Sequence, residues 1–282
     1  MAPGMTTRID AHVHLWNRAV DPQHWIDPET MGAIDRDFEQ PELQQMLAAT
    51  GCSRAVVVQG TNSLNESIRL SQLDHSVVVG VVAWVDLTAD VSAQLERLRS
   101  AASVPIVGVR HLAHIDPDPQ WLLREDVGRG LSALQSQGLR FDFVVRDWQL
   151  PQASAVAAQH EGLQFVLDHL GGPPAPGCEL SDWRSDLLAL SRLPNVAAKL
   201  SGLVSGLAPG AWQSDDLRPV VDVALDAFGA DRLLYGSDWP LVELGGGAGV
   251  WKASAERLLG ALSGLEREHI FGLNAAEIYS LD

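Results

Sequence analysis

Arg8-Ile9-Asp10-Ala11-His12-Val13-His14-Leu15-Trp16 is the stretch on which the fold turns. Ile9, Ala11, Val13 and Leu15 alternate with polar partners, the period of a strand. Such a strand puts His12 and His14 on one face, close enough for both imidazoles to bind one metal ion or one substrate oxygen. Two satisfied histidines near a strand end would read the same way. Three later segments bear on that choice: Val166-Leu167-Asp168-His169-Leu170-Gly171, Ala198-Lys199-Leu200-Ser201-Gly202 and Tyr235-Gly236-Ser237-Asp238-Trp239-Pro240. Each is a short apolar run that ends in a polar residue foreign to a core.

Working outward, apolar β-branched runs predict strands near 8–15, 54–59, 77–85, 106–110, 141–145, 164–168, 195–200 and 232–236. Helical patterns fall between them at 40–50, 64–73, 91–101, 125–137, 151–160, 181–191, 217–228 and 250–262. Strictly alternating strands and helices imply a parallel sheet, and eight units imply a closed (β/α)8 barrel. An open doubly wound sheet is the alternative, but no Gly-rich dinucleotide loop follows the first strand. The chain has no low-complexity linker or composition break, so residues 1–282 are expected to form one domain. Asn17–Phe38 is too long for a plain turn and is expected to cover the barrel mouth.

In a barrel, catalytic groups gather at the carboxyl ends of the strands. His12 and His14 end the first strand, Arg110 and His111 the fourth, His169 the sixth, Lys199 the seventh and Asp238 the eighth. They converge only if the barrel closes. Arg110, Lys199 and, less strongly, Arg146 would grip anionic or hydroxyl-rich substrate groups, unless a site carboxylate claims Arg110. His24, His75, His114, His160 and His269 read as exposed polar residues. Among nine tryptophans, Trp16, Trp84, Trp148 and Trp239 fall at or past strand ends and could wall a pocket.

Composition narrows the function. The net charge of −16 opposes nucleic-acid or anionic-membrane binding, yet leaves room for a small anionic substrate beside local arginines. No run of apolar residues suffices to span a bilayer. Met1–Arg8 has no signal-peptide core, so a cytoplasmic location is expected. Cys52 and Cys178 fit a reducing compartment, and without a CxxC a thiolate zinc site is ruled out.

With these motifs in hand, the chain resembles the amidohydrolase superfamily, in its amidohydrolase-related (amidohydrolase 2) branch. The motifs are Asp10-Ala11-His12-Val13-His14, Gly108-Val109-Arg110-His111, Phe141-Asp142, Asp168-His169-Leu170-Gly171, Lys199-Leu200-Ser201-Gly202, Gly236-Ser237-Asp238-Trp239-Pro240 and Ile270-Phe271-Gly272-Leu273-Asn274. HxH alone is weak; the ordered set is specific and spans nearly the whole chain. The branch includes sugar-acid lactonases acting on fucono- and rhamnono-lactones, a pyrone-dicarboxylate lactonase, and a semialdehyde decarboxylase.

The resemblance implies a lactonase in which Asp238 is the general base, with His169 and His111 as further catalytic residues. Arg110, Lys199, Arg146, Trp84 and Trp239 would bind substrate. The bridging ligand of two-metal relatives has no counterpart here. The implied cofactor is therefore one divalent ion, zinc first, on His12, His14, His169 and Asp238. Some lactonases of the branch work without metal, and the histidines would then bond the substrate directly. The resemblance leaves open a metal-dependent decarboxylase, a non-catalytic binding role, the identity of the lactone and a homo-oligomeric state. A serine-hydrolase elbow, G-x-S-x-G, is absent from the sequence.

Overall fold

The computed structural model describes residues 7–281, so most of the Met1–Arg8 segment expected to lack a signal-peptide core lies outside the described residues. Eight parallel strands pair in chain order. They are β1 (Ile9–Val13), β2 (Arg54–Val58), β3 (Val78–Ala83), β4 (Ile106–His111), β5 (Arg140–Phe143), β6 (Phe165–Leu167), β7 (Val196–Leu200) and β8 (Leu233–Tyr235). Valine, alanine and phenylalanine dominate them, as a parallel sheet covered on both faces requires.

Closure happens beyond the last strand. The Asp238 amide donates to the His12 carbonyl (2.9 Å) and the His14 amide to the Trp239 carbonyl (2.7 Å). Asp10 pins the same seam, its Oδ1 accepting from the amides of Ser237 (2.8 Å) and His12 (3.2 Å). Closing the barrel therefore sets His12, His14 and Asp238 side by side. The result is a single-domain (β/α)8 barrel.

The outer helices are α1 (Gln40–Thr50), α2 (Leu64–Ser71), α3 (Val91–Ala101), α4 (Glu125–Ser136), α5 (Leu150–Gln159), α6 (Ser181–Ser191), α7 (Arg218–Phe228) and α8 (Ala248–Leu258). Ser63 and Asp90 cap α2 and α3 by accepting from the amides of Glu66 and Ala93. Pro41, Pro151 and Pro219 sit in the first turns of α1, α5 and α7, where a missing N–H costs nothing. No helix among the described residues is long and apolar enough to cross a membrane.

Two features depart from the sequence reading. The chain continues into α9 (Gly264–Glu268) and α10 (Asn274–Tyr279), which the helical pattern ending at 262 did not include. Ser263 and Glu266 form a capping box at the start of α9. Ala275 and Tyr279 of α10 join Val56, Val58, Val166 and Leu234 in a separate apolar cluster. By strand alternation this cluster shares its face with Asp168 and Lys199, so it floors the barrel beneath them. The second departure is at β6, expected to reach Asp168, which stops at Leu167. His169 and Leu170 turn left-handed there, both at φ 54°. β-Pairing cannot continue through that conformation.

Candidate active site

Four side chains meet where the barrel closes. His12 Nε2 lies 3.1 Å from His14 Nε2. Asp238 Oδ1 lies 3.7 Å from His12 Nε2, 3.5 Å from His14 Nε2 and 3.9 Å from His169 Nε2. Asp238 and His169, both at positive φ, reach this point from left-handed turns at strand ends. Holding non-glycine residues there costs about 1–3 kcal/mol each, and such strain clusters at functional sites.

A carbonyl fixes which nitrogen of His14 is bare. His14 Nδ1 lies 2.8 Å from the Val58 carbonyl, so it must carry the proton and leave Nε2 as a lone pair. His12 Nδ1 lies 3.3 Å from Asp168 Oδ1 and 3.2 Å from Lys199 Nζ, and Arg110 Nη1 stands 3.4 Å from its Nε2. His169 Nδ1 is tied to Ser201 Oγ at 2.8 Å. Asp238 Oδ2 accepts from Ser205 Oγ (2.8 Å), whereas Oδ1 is buried without a donor among the described residues.

His14 Nε2 thus presents a lone pair toward an orphaned carboxylate oxygen, with Nε2 of His12 and of His169 beside it. Tetrahedral zinc with bonds near 2.1 Å separates its ligand atoms by about 3.4 Å, close to the spacings here. His12, His14 and Asp238 fit a divalent cation, with His169 Nε2 3.9 Å from the same carboxylate oxygen. The other close trio, His12, Asp168 and His169, does not, because Lys199 Nζ already stands 2.9 Å from Asp168 Oδ1.

Electrostatics keep His12, His14 and Asp238 in ligand form. Burial holds the pKa of His14 below the imidazole range and that of His12 well below it. Burial alone would raise Asp238, but the three histidines hold it below the usual carboxylate range. Protonation of these groups should not limit turnover near neutrality.

Beneath the site lies a layer of buried charge. Lys199 Nζ bonds Asp142 Oδ2 (2.6 Å) and Asp168 Oδ1 (2.9 Å), and Arg110 Nη1 bonds Asp168 Oδ2 (2.9 Å). The Tyr279 hydroxyl donates to Asp142 from below (2.7 Å). Burial pushes Asp142 upward; Asp168 is buried too, yet Lys199 and then His12 hold it well below the carboxylate range.

This layer corrects several expectations. Lys199 is fully buried, its ammonium held between two carboxylates, and it does not line the cavity. Arg110 does line it, but its guanidinium is committed to Asp168 and the Gln59 carbonyl. His111 stacks on Trp121 with ring centroids 3.7 Å apart. It accepts from Trp84 Nε1 (3.1 Å) and bonds Asp116 (2.8 Å), away from the cavity. Trp84 is thereby occupied, and Trp239 packs on Phe38 instead of facing the cavity. Only Arg146, among the expected substrate contacts, is both cavity-lining and without an ion pair among the described residues.

The cavity above Asp238 measures about 400 Å³. Trp25 and Met31 from the long segment after β1, with Leu112, Ile115 and Leu241, give it an apolar wall. His114 also lines it, against the sequence reading of an exposed residue. The missed signal was position: His114 lies three residues past the carboxyl end of β4, on the catalytic face. Ser205 escaped because nothing in sequence ties it to Asp238.

Gly202 marks how tightly the site is built. A Cβ there would lie 2.5 Å from His169 Cγ, and φ is +68°. Gly202→Ala is therefore expected to displace His169 and cut turnover by about 100-fold. Near-normal kinetics in this variant would show that His169 placement is not critical.

Comparison with known proteins fits this geometry. An amidohydrolase family model matches residues 9–281. An L-fucono-1,5-lactonase from Burkholderia ambifaria is 35% identical, over 99% of this chain and 97% of its own length. The crystal structure of an amidohydrolase from Burkholderia multivorans with bound HEPES superposes with a TM-score of 0.90 at 33% identity, covering 98% of this chain and 100% of that one. A second crystal form, with bound zinc, gives 0.89 at the same identity and coverage.

Proposed function

From the premise that this chain belongs to the amidohydrolase family, we propose that it hydrolyses a small sugar-acid lactone, with L-fucono-1,5-lactone as the first substrate to test. The observation that carries the mechanism is the orphaned Asp238 Oδ1 facing the imidazoles, with Oδ2 held by Ser205 at the cavity.

His12, His14 and Asp238, with His169 as a fourth donor, would hold one divalent ion, and the zinc-bound relative supports zinc. When bound, such an ion supplies Lewis-acid polarisation of a carbonyl oxygen. Asp238, ionised at neutral pH, orients a water in the cavity and accepts its proton at Oδ2 as the water oxygen bonds to the lactone carbon. The ring C–O bond then breaks, and the same proton passes from Asp238 to the departing ring oxygen. The product is the open hydroxy acid. Asp168 and Lys199 flank His12 Nδ1 and hold the ring with Nε2 toward His14. The apolar wall excludes competing water.

Turnover on a panel of aldono-1,5-lactones, followed by acid release, tests the reading. Hydrolysis of at least one lactone well above the spontaneous rate is expected. Release of carbon dioxide from an unsaturated carboxylic acid, with every lactone inert, would overturn it in favour of decarboxylation.

The metal is tested separately. Dialysis against a chelator is expected to remove most activity, and one equivalent of zinc to restore it. Because His14 Nδ1 donates to Val58, neutral His14 has no Nε2 proton to offer a substrate, which favours the ion over direct hydrogen bonding. Full activity at substoichiometric metal would discard the ion and leave Asp238 as base.

A further inference from the structure

His14 has its tautomer set by the Val58 carbonyl, and His12 is flanked on Nδ1 by Asp168 and Lys199. His114 has no such partner. Its Nδ1 is buried with no hydrogen-bond partner among the described residues, and no side chain among them holds its Nε2. The ring is half-buried and forms part of the same cavity wall as Asp238, Arg146 and His169. Its backbone is anchored, the amide donating to the Val144 carbonyl at the end of β5 (3.2 Å).

We propose that His114 is a specificity-determining residue whose imidazole hydrogen-bonds a ring hydroxyl of the lactone. The inference rests on the lactonase reading and adds to it the residue that recognises the substrate's hydroxyl pattern. Nδ1 is closed off from the cavity, so Nε2, accessible and without a side-chain partner among the described residues, is the atom that a ligand meets. The partner's chemistry follows from charge. Burial, then Arg110 and Arg146, push the His114 pKa down to about 3, so the ring is neutral in use. A substrate carboxylate would be served by Arg146, the cation beside it. A neutral imidazole free to place its proton on either nitrogen lets Nε2 donate or accept, and a hydroxyl can answer either way.

A site built to bond a hydroxyl discriminates strongly against analogues that lack it. The test compares wild type with His114→Phe, which keeps a flat ring, and His114→Asn, which restores a donor and an acceptor. Each is assayed on L-fucono-1,5-lactone and on unsubstituted δ-valerolactone. For His114→Phe, kcat/KM on the fuconolactone should fall about 10- to 100-fold, mainly through KM, with less than threefold change on δ-valerolactone. His114→Asn should recover part of the loss.

An equal loss on both lactones would make His114 structural and overturn the proposal, as would an unchanged ratio. Binding of L-fuconate, the ring-opened acid, is measured by calorimetry in parallel. Should wild type turn over neither lactone, the lactonase reading fails, and the His114 assignment stands or falls on whether His114→Phe weakens fuconate binding.

Discussion

Asp238→Asn is expected to lower kcat by about three to five orders of magnitude while the protein stays folded. The amide nearly matches the carboxylate in shape, and its oxygen can still accept from Ser205. What it loses is the capacity to take a proton and the negative charge among three imidazoles. The left-handed backbone at Asp238 tolerates Asn, which visits this region more readily than most residues. Circular dichroism and melting temperature should therefore stay near wild type, while steady-state turnover on a lactone collapses. Residual activity within tenfold of wild type would remove Asp238 from the chemistry. The histidines around it would then be ligands in a site whose base lies elsewhere.

Lys199→Met should have the largest effect on stability. The substitution keeps the length of the side chain and removes the cation that Asp142 and Asp168 share. Arg110 still neutralises Asp168, but Asp142 is left at zero exposure with only the Tyr279 hydroxyl for company. Breaking a buried pair by removing one partner costs about 3–5 kcal/mol. At a few degrees per kcal/mol for a chain of this size, the melting temperature should fall on the order of 10 °C. Adding Asp142→Asn removes the stranded charge, so the double variant should recover much of the loss. If Lys199→Met melts like wild type, the charges below the site do not hold the barrel together.

The two substitutions separate functions that the strand ends seem to share in sequence. Asp238 and Lys199 both follow apolar runs, and both look like site residues. In the barrel, Lys199 lies within β7, one residue short of its end, whereas Asp238 lies three residues past β8. That difference places one beneath the site and the other in it. Arg110 shows the same effect, lying at the cavity yet spent on Asp168.

The alternation of eight apolar runs with eight helical ones determined the barrel, because each pattern can bury its face only in that order. The His-X-His of β1 and the Asp of Ser237-Asp238-Trp239 determined that a site would form at the closing seam. The family followed from the same motifs. Side-chain commitment was decided only by tertiary structure. Arg110, Lys199 and His111 are cationic or imidazole groups at the ends of strands, and sequence cannot tell whether another residue has already claimed them. Asp168, Asp142 and Asp116 claim them across gaps of 58, 57 and 5 residues. His114, a loop residue by pattern, became part of the cavity because nothing claimed it. Pairing across such distances depends on register and closure, and neither is written in the local spacing of any one strand.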